Sequence, residues 1–174
     1  DNAWVAPFVY DLANQGILNG RSEEIFDPDG NITRGEFAKI LAFASQDDLS
    51  QYEGTSKFTD SRGHWSETNI NWAYENGIVK GQSETSFAPN AKITRQEMAV
   101  MIKRYADYKG IQLPQTNEAI TFADDGKIAS WAKVEVTAMQ QAGIISGRPG
   151  NLFDPEGNAT RGEAAKMISI LLDL

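Results

Sequence analysis

Apolar and polar positions along the chain alternate in three blocks, each of which reads as helix, loop, helix. In the first helix of a block, apolar residues return at helical spacing, as at Val9, Leu12 and Ala13 or Ile70, Ala73 and Tyr74. A glycine then stops the helix: Gly16, Gly77 and Gly143 each open a Gly-Ile-aliphatic-x-Gly stretch ("GILNG", "GIVKG", "GIISG"). The segment that follows, "RSEEIFDPDGN" in the first block, is turn chemistry around one apolar Phe. The second helix carries a stripe through Phe37, Ala38, Ile40, Leu41 and Ala44, matched by Met98, Ala99, Met101, Ile102 and Tyr105. Helix pairs this short cannot bury their own stripes, so the expected fold is all-α, with the three units sharing one core.

The blocks are copies of one unit. Counting from Trp4, Trp65 and Trp131, an offset of 16 gives Gly20, Gly81 and Gly147, and an offset of 22 gives Phe26, Phe87 and Phe153. An offset of 30 gives Arg34, Arg95 and Arg161, without a gap in any copy. The origins lie 61 and 66 residues apart, so the variable length falls in polar linkers rich in turn formers, around "SQDDLSQYEGTSK" and "DYKGIQLPQTNEAIT". Repeats are therefore expected at 1–48, with a truncated start, at 58–109 and at 122–174, together forming one structural unit.

The phrases "ITRGE", "ITRQE" and "ATRGE" begin the second helices. Thr33 with Glu36, Thr94 with Glu97 and Thr160 with Glu163 satisfy a capping box, which accounts for the Thr and the Glu structurally. It does not account for the arginine. A cation in the first turn opposes the helix dipole by a few tenths to about 1 kcal/mol, so Arg34, Arg95 and Arg161 call for partners. Either a carboxylate from a neighbouring copy or an exogenous anion on the free helix amides would serve. The tryptophans favour the second, since a half-exposed indole offers an apolar face and an N–H to a sugar, although a core anchor between units is equally open to them. Asp60 and Asp124, ahead of Trp65 and Trp131, could cap a helix or accept from a sugar hydroxyl. With Gly20, Gly81 and Gly147 these residues describe a carbohydrate pocket for one anionic group. On that reading, Arg95→Ala weakens glycan binding with little effect on the fold.

Charge and composition narrow the partners. The formal net charge of -8 disfavours long-range attraction to nucleic acid or an anionic membrane, so any anion must be bound locally. With no cysteine there is no disulfide framework or zinc-thiolate site. No apolar run approaches the roughly 20 residues of a membrane helix. The opening residues lack the pattern of a signal peptide, so an export signal is expected to have been removed or to lie outside this chain.

The combination "FTDSRGHW…GIVKG…ITRQE" strongly resembles the S-layer homology domain, in three consecutive copies over nearly the whole chain. The resemblance implies a pseudo-threefold, three-pronged arrangement with a central helical bundle and grooves between prongs. It further implies non-covalent anchoring of a cell-surface protein to an anionic secondary cell-wall polysaccharide, through a terminal pyruvylated N-acetylmannosamine, outside a bacterial cell. The family's Thr-Arg-Ala-Glu motif falls on residues 33–36, 94–97 and 160–163, and its aspartate and tryptophan on Asp60 with Trp65 and Asp124 with Trp131. Gly35, Gln96 and Gly162 depart from the motif's alanine, which lowers helix propensity at the two glycines. The first copy lacks the family's Phe-x-Asp start, for which Asp1 is a possible substitute, and extra residues separate Asp124 from Trp131. No cofactor, metal or catalysis is expected. "DPDGN" and "DPEGN" look like the start of an EF-hand loop, but position twelve from Asp27 is Ala38 and not the required Glu. One histidine and no cysteine leave the usual nucleophilic triads unavailable. The alternative function is a protein-binding scaffold at the cell surface that uses the same Trp and Arg side chains.

Overall fold

The computed structural model describes residues 3–54 and 56–174. Asp1 and Asn2 at the start of the first repeat, and Thr55 in the first linker, lie outside the described residues. Six helices follow in pairs: α1 Ala6–Asn14 and α2 Arg34–Ser45, α3 Glu67–Glu75 and α4 Arg95–Lys109, α5 Lys133–Gln141 and α6 Arg161–Leu172. Only isolated bridges, and no strand, occur among the described residues, so the chain is all-α. A short 3-10 turn, Ser50–Tyr52, occupies the first linker.

Local sequence explains where the helices stop and start. The first helices end on Gly16, Gly77 and Gly143, with φ of 72°, 72° and 75°, a backbone state that costs glycine nothing. Past each glycine the Ile amide returns to the helix, as Ile17 N–H does to Leu12 O at 2.9 Å, closing a Schellman motif. All three second helices open with a complete capping box: Thr33, Thr94 and Thr160 accept from Glu36, Glu97 and Glu163 N–H, and each Glu carboxylate accepts from its Thr N–H.

The copies are joined in a closed cycle. Ile32 N–H donates to Ala159 O at 3.2 Å, Ala159 N–H to Ile93 O at 3.0 Å, and Ile93 N–H to Ile32 O at 3.0 Å. All three residues are fully buried. Just beyond this ring, the first two amides of each second helix donate to the loop of another copy: Arg34 and Gly35 to Ala91 O and Pro89 O, Arg95 and Gln96 to Gly157 O and Pro155 O, Arg161 and Gly162 to Gly30 O and Pro28 O. The helix-start amides that an anion could have used are consumed within the protein, contrary to the expectation of free amides.

Packing follows the same order. α3 lies chiefly on α2, α5 on α4, and α1 on α6, so the first helix of each copy covers the second helix of the preceding one. Phe37, Met98, Ala99, Ile102, Ala164 and Ile168 are buried in one continuous core. That shared burial is what helix pairs of this length require. Of the turn phenylalanines, Phe87 and Phe153 are fully buried and Phe26 is partly buried. Beside the first linker, Asp47 accepts from the buried Trp72 Nε1 and from Tyr108 OH, each at 2.8 Å. The hydrogen bond to this carboxylate is the main cause that pushes the Tyr108 phenol up to about 12.

The glycines that depart from the motif's alanine now have a steric reason. A Cβ at Gly35 would stand 2.7 Å from Ser66 Oγ and 3.0 Å from Pro89 O, whereas at Gly162 the nearest atom is Pro28 O at 3.1 Å. Replacing glycine by alanine near a helix start gains at most ~1 kcal/mol of propensity, against ~1–3 kcal/mol for overpacking. Gly35→Ala is therefore expected to lower the unfolding free energy by about 1–2 kcal/mol, and Gly162→Ala by less, with urea unfolding as the measurement.

Candidate functional site

The three arginines project from the first turn of α2, α4 and α6 into the following copy. Arg34 Nε donates to Phe87 O at 2.8 Å, Arg95 Nε to Phe153 O at 2.7 Å and Arg161 Nε to Phe26 O at 2.9 Å. Each guanidinium also lies over the ring of that phenylalanine, 4.7, 5.3 and 4.8 Å from its centroid. Arg34 pairs with Glu97 at 3.0 Å, and Arg95 pairs with Glu163. Arg161 instead reaches a second carbonyl, Asn19 O, at 2.7 Å. All three are buried, at 5%, 2% and 5% exposure. Burial pushes Arg34 and Arg95 down from the ordinary guanidinium value, while the facing glutamates push them back up. The internal carboxylate, left open by the sequence, is thus the partner that offsets the dipole for two of the three, and carbonyls serve the third. An exogenous anion is not needed to complete them.

The capping glutamates do two jobs. One oxygen of Glu36, Glu97 and Glu163 closes its capping box. The other, Oε1, faces outward to Arg21 at 3.0 Å, to Gln82 at 2.8 Å and to Arg148 at 3.1 Å respectively. These contacts form the floor of three open grooves.

Each groove is assembled from all three copies. The first, about 350 Å³, joins Arg34 of copy one, Gly81 and Glu97 of copy two, and Trp131 of copy three. The second, about 300 Å³, joins Arg95, Gly147 with Glu163, and Trp4 in the same cyclic order. The third, about 330 Å³, joins Arg161, Gly20 with Glu36, and Trp65. These volumes sit at the lower end of small-molecule sites. Trp4, Trp65 and Trp131 stand two residues before α1, α3 and α5 and are 47%, 57% and 52% exposed, so they are not core anchors. Three cations and one carboxylate line each groove: Arg34, Lys80 and Arg104 with Glu97; Arg95, Arg148 and Lys166 with Glu163; Arg161, Arg21 and Lys39 with Glu36. On a chain of net charge -8 these are local patches of positive excess. Sequence reasoning missed Arg21, Lys39, Lys80, Arg104, Arg148 and Lys166, because the offsets they occupy are not invariant across the copies.

Asp60 and Asp124 have a different place. Asp60 accepts from Phe87 N–H at 2.9 Å, Ala88 N–H at 2.8 Å and Ser86 OH at 2.7 Å. Asp124 accepts from Phe153 N–H and Asp154 N–H, both at 2.8 Å. They clasp the loop that presents its Phe carbonyl to the neighbouring arginine, and neither is among the residues lining the three grooves. The extra residues before Trp131 do not redirect Asp124, which repeats the clasp of Asp60. Burial would raise Asp60, but the amides of Phe87 and Ala88 and the Ser86 hydroxyl together outweigh it and hold the carboxyl below its ordinary value. The same balance lowers Asp124. In the EF-like stretches, Asp27 sits 3.7 Å from Arg21 and Asp154 pairs with Arg148, so both carboxylates serve their own turns.

The family model described as "S-layer homology domain" matches residues 1–38, 57–99 and 121–165. An amylopullulanase of Thermoanaerobacterium thermosulfurigenes is 36% identical over 172 residues, 98% of this chain and 9% of that protein. An endoglucanase of Bacillus sp. (strain KSM-635) is 32% identical over 170 residues, 98% of this chain and 18% of that protein. A cellulosome-anchoring protein of Acetivibrio thermocellus is 28% identical over 140 residues, 78% of this chain and 30% of that protein. The chain thus spans less than a third of each of these relatives.

Two outcomes follow from the buried charges. Arg95→Ala, which empties a position facing Glu163, Phe153 O and Ser146 O, is expected to cost about 3 kcal/mol, seen as a lower urea midpoint at unchanged slope. Arg95 therefore carries a structural load besides lining its groove, so a loss of stability is expected where the sequence suggested little effect on the fold. The depressed carboxyls of Asp60 and Asp124 stabilise the fold fully above the unfolded value of about 3.9, and that stability is lost as pH falls through and below it. Urea unfolding from pH 6 to pH 3 is expected to show this decline, and Asp60→Asn with Asp124→Asn to make it shallower.

Proposed function

Because the chain belongs to the S-layer homology domain family, we propose that it anchors the protein that carries it non-covalently to the bacterial cell wall. It is a cell-surface, wall-associated module. The ligand on this reading is an acidic secondary cell-wall polysaccharide, held in the grooves between the copies at 1–48, 58–109 and 122–174. The closed cycle of contacts supports a pseudo-threefold, three-pronged arrangement of these copies.

One observation carries the reading: an exposed indole and an excess of cations share every groove, although the chain as a whole is acidic. The indole takes the CH face of a sugar ring. The cations take an acidic substituent, for which a ketal pyruvate on a terminal N-acetylmannosamine is the best match: a single carboxylate fixed to a pyranose. The division of labour differs from a bare arginine site. Arg95, buried under Glu163, holds the groove wall, and the more accessible Arg148 and Lys166 meet the incoming carboxylate. The protein does not act as an enzyme here. An amylopullulanase, an endoglucanase and a cellulosome-anchoring protein share this segment, so what it contributes is common to proteins of unlike activity.

Sedimentation with purified cell-wall sacculi tests the reading. The chain is expected to co-sediment with intact sacculi and to remain in solution after mild acid has removed ketal pyruvate. Trp4→Ala, Trp65→Ala and Trp131→Ala combined are expected to weaken binding at least tenfold, ~1.4 kcal/mol, without moving the urea midpoint. Undiminished binding to acid-treated sacculi would mean that a protein or another wall component is the partner.

A further inference from the structure

The three grooves are not chemically equal, and the difference is a relocation of charge. In the second and third grooves a guanidinium, Arg148 or Arg21, lies on the capping glutamate. A lysine follows that glutamate three residues later on the same helix, Lys166 after Glu163 and Lys39 after Glu36, so cations cluster at the glutamate end. In the first groove both positions have lost their charge. The arginine is replaced by Gln82, whose amide donates to Glu97 at 2.8 Å, and the lysine by Val100, which is 3% exposed. Two other cations line the groove instead, Lys80 and Arg104. Their counterparts in the other copies are uncharged: Asn19 and Ser146 for Lys80, Phe43 and Ile170 for Arg104. Arg104 stands four residues beyond Val100 on α4, a displacement of about 6 Å along the helix.

The number of cations is therefore kept, while the one on the helix moves from the position three residues after the glutamate to Arg104, seven residues after Glu97 on α4. From this we infer that the groove of Arg34 and Trp131 takes a different portion of the acidic glycan from the other two. It recognises a stretch of several sugars whose negative group lies one helical turn farther out, against Arg104, with Lys80 lining the same groove. The grooves of Trp4 and Trp65 take the compact terminal residue, with its carboxylate against the Arg148–Lys166 and Arg21–Lys39 pairs. This inference rests on the glycan-anchoring reading and adds to it a division of specificity among the grooves.

Calorimetric titration of the full chain distinguishes the two, with pyruvylated N-acetylmannosamine as one probe and polysaccharide fragments released from sacculi as the other. The Trp131→Ala protein is expected to bind the monosaccharide as the unsubstituted chain does, at two sites. The Trp4→Ala/Trp65→Ala protein, left with the first groove, is expected to bind the monosaccharide at least tenfold more weakly yet still bind the fragments. Adding Lys80→Ala and Arg104→Ala then lowers fragment affinity at least tenfold, and adding Gln82→Arg and Val100→Lys restores monosaccharide binding. Equal monosaccharide affinity in the Trp131→Ala and Trp4→Ala/Trp65→Ala proteins overturns the inference, as does fragment binding indifferent to Arg104 and Lys80, or absent from the first groove. If the unsubstituted chain binds neither probe, the anchoring reading itself falls, and this inference with it.

Discussion

The structure depends on a cation placed where a helix does not want one. Each arginine in the first turn of a second helix leaves its own copy and fastens onto the next, taking a carbonyl from a phenylalanine turn that an isolated copy could not offer it. The local penalty of facing the dipole is offset only when the neighbour is present. The same is true of the two amides behind each arginine and of the buried ring through Ile32, Ile93 and Ala159. Thus the polar groups at the start of α2, α4 and α6 are satisfied between copies, and the apolar stripes are covered between copies as well. Interior hydrogen bonding and hydrophobic burial impose the same cyclic order.

That order makes the grooves. A buried arginine fixes the wall, the glutamate that caps the next helix spends its second oxygen on the floor, and an indole arrives from the remaining copy. The glutamate is therefore tied both to helix stability and to the electrostatics of the site. It lowers the positive charge that each groove presents and, for Arg34 and Arg95, keeps the buried guanidinium from being an uncompensated ion. Other cations, such as Arg148 and Lys166, are left nearer the surface of the groove. The repeated Arg, expected to meet an anion from outside, is taken up by the neighbouring copy, and the other cations of each groove are the ones nearer its surface.

Much of this was legible in the amino-acid sequence wherever the cause is local. Helical spacing, the glycine stops and the Thr-x-x-Glu caps are decided within a few residues, and α1 to α6 fall where those signals put them. The exposure of the tryptophans was not settled that way, because an indole just ahead of a helix serves a core anchor between units as well as a sugar face. What the repeat could not reveal is which copy completes which. Offsets within a unit are silent about whether Arg34 meets its own Glu36 or the Glu97 of its neighbour. The aspartates show the same limit: a carboxylate ahead of a tryptophan looks like a sugar contact, but two backbone amides nearly thirty residues on claim it. Positions that vary among copies, such as Arg21, Gln82 and Arg148, escape a search for what is repeated, yet these are where the grooves differ.

Building every groove from three copies has an arithmetical consequence. An array of two units would possess no complete groove, and the third unit supplies three at once, because it brings the missing wall of each. The number of complete grooves in such a ring does not grow in proportion to the number of units; it switches from none to three when the circle shuts. Loss of any one unit forfeits all three grooves together.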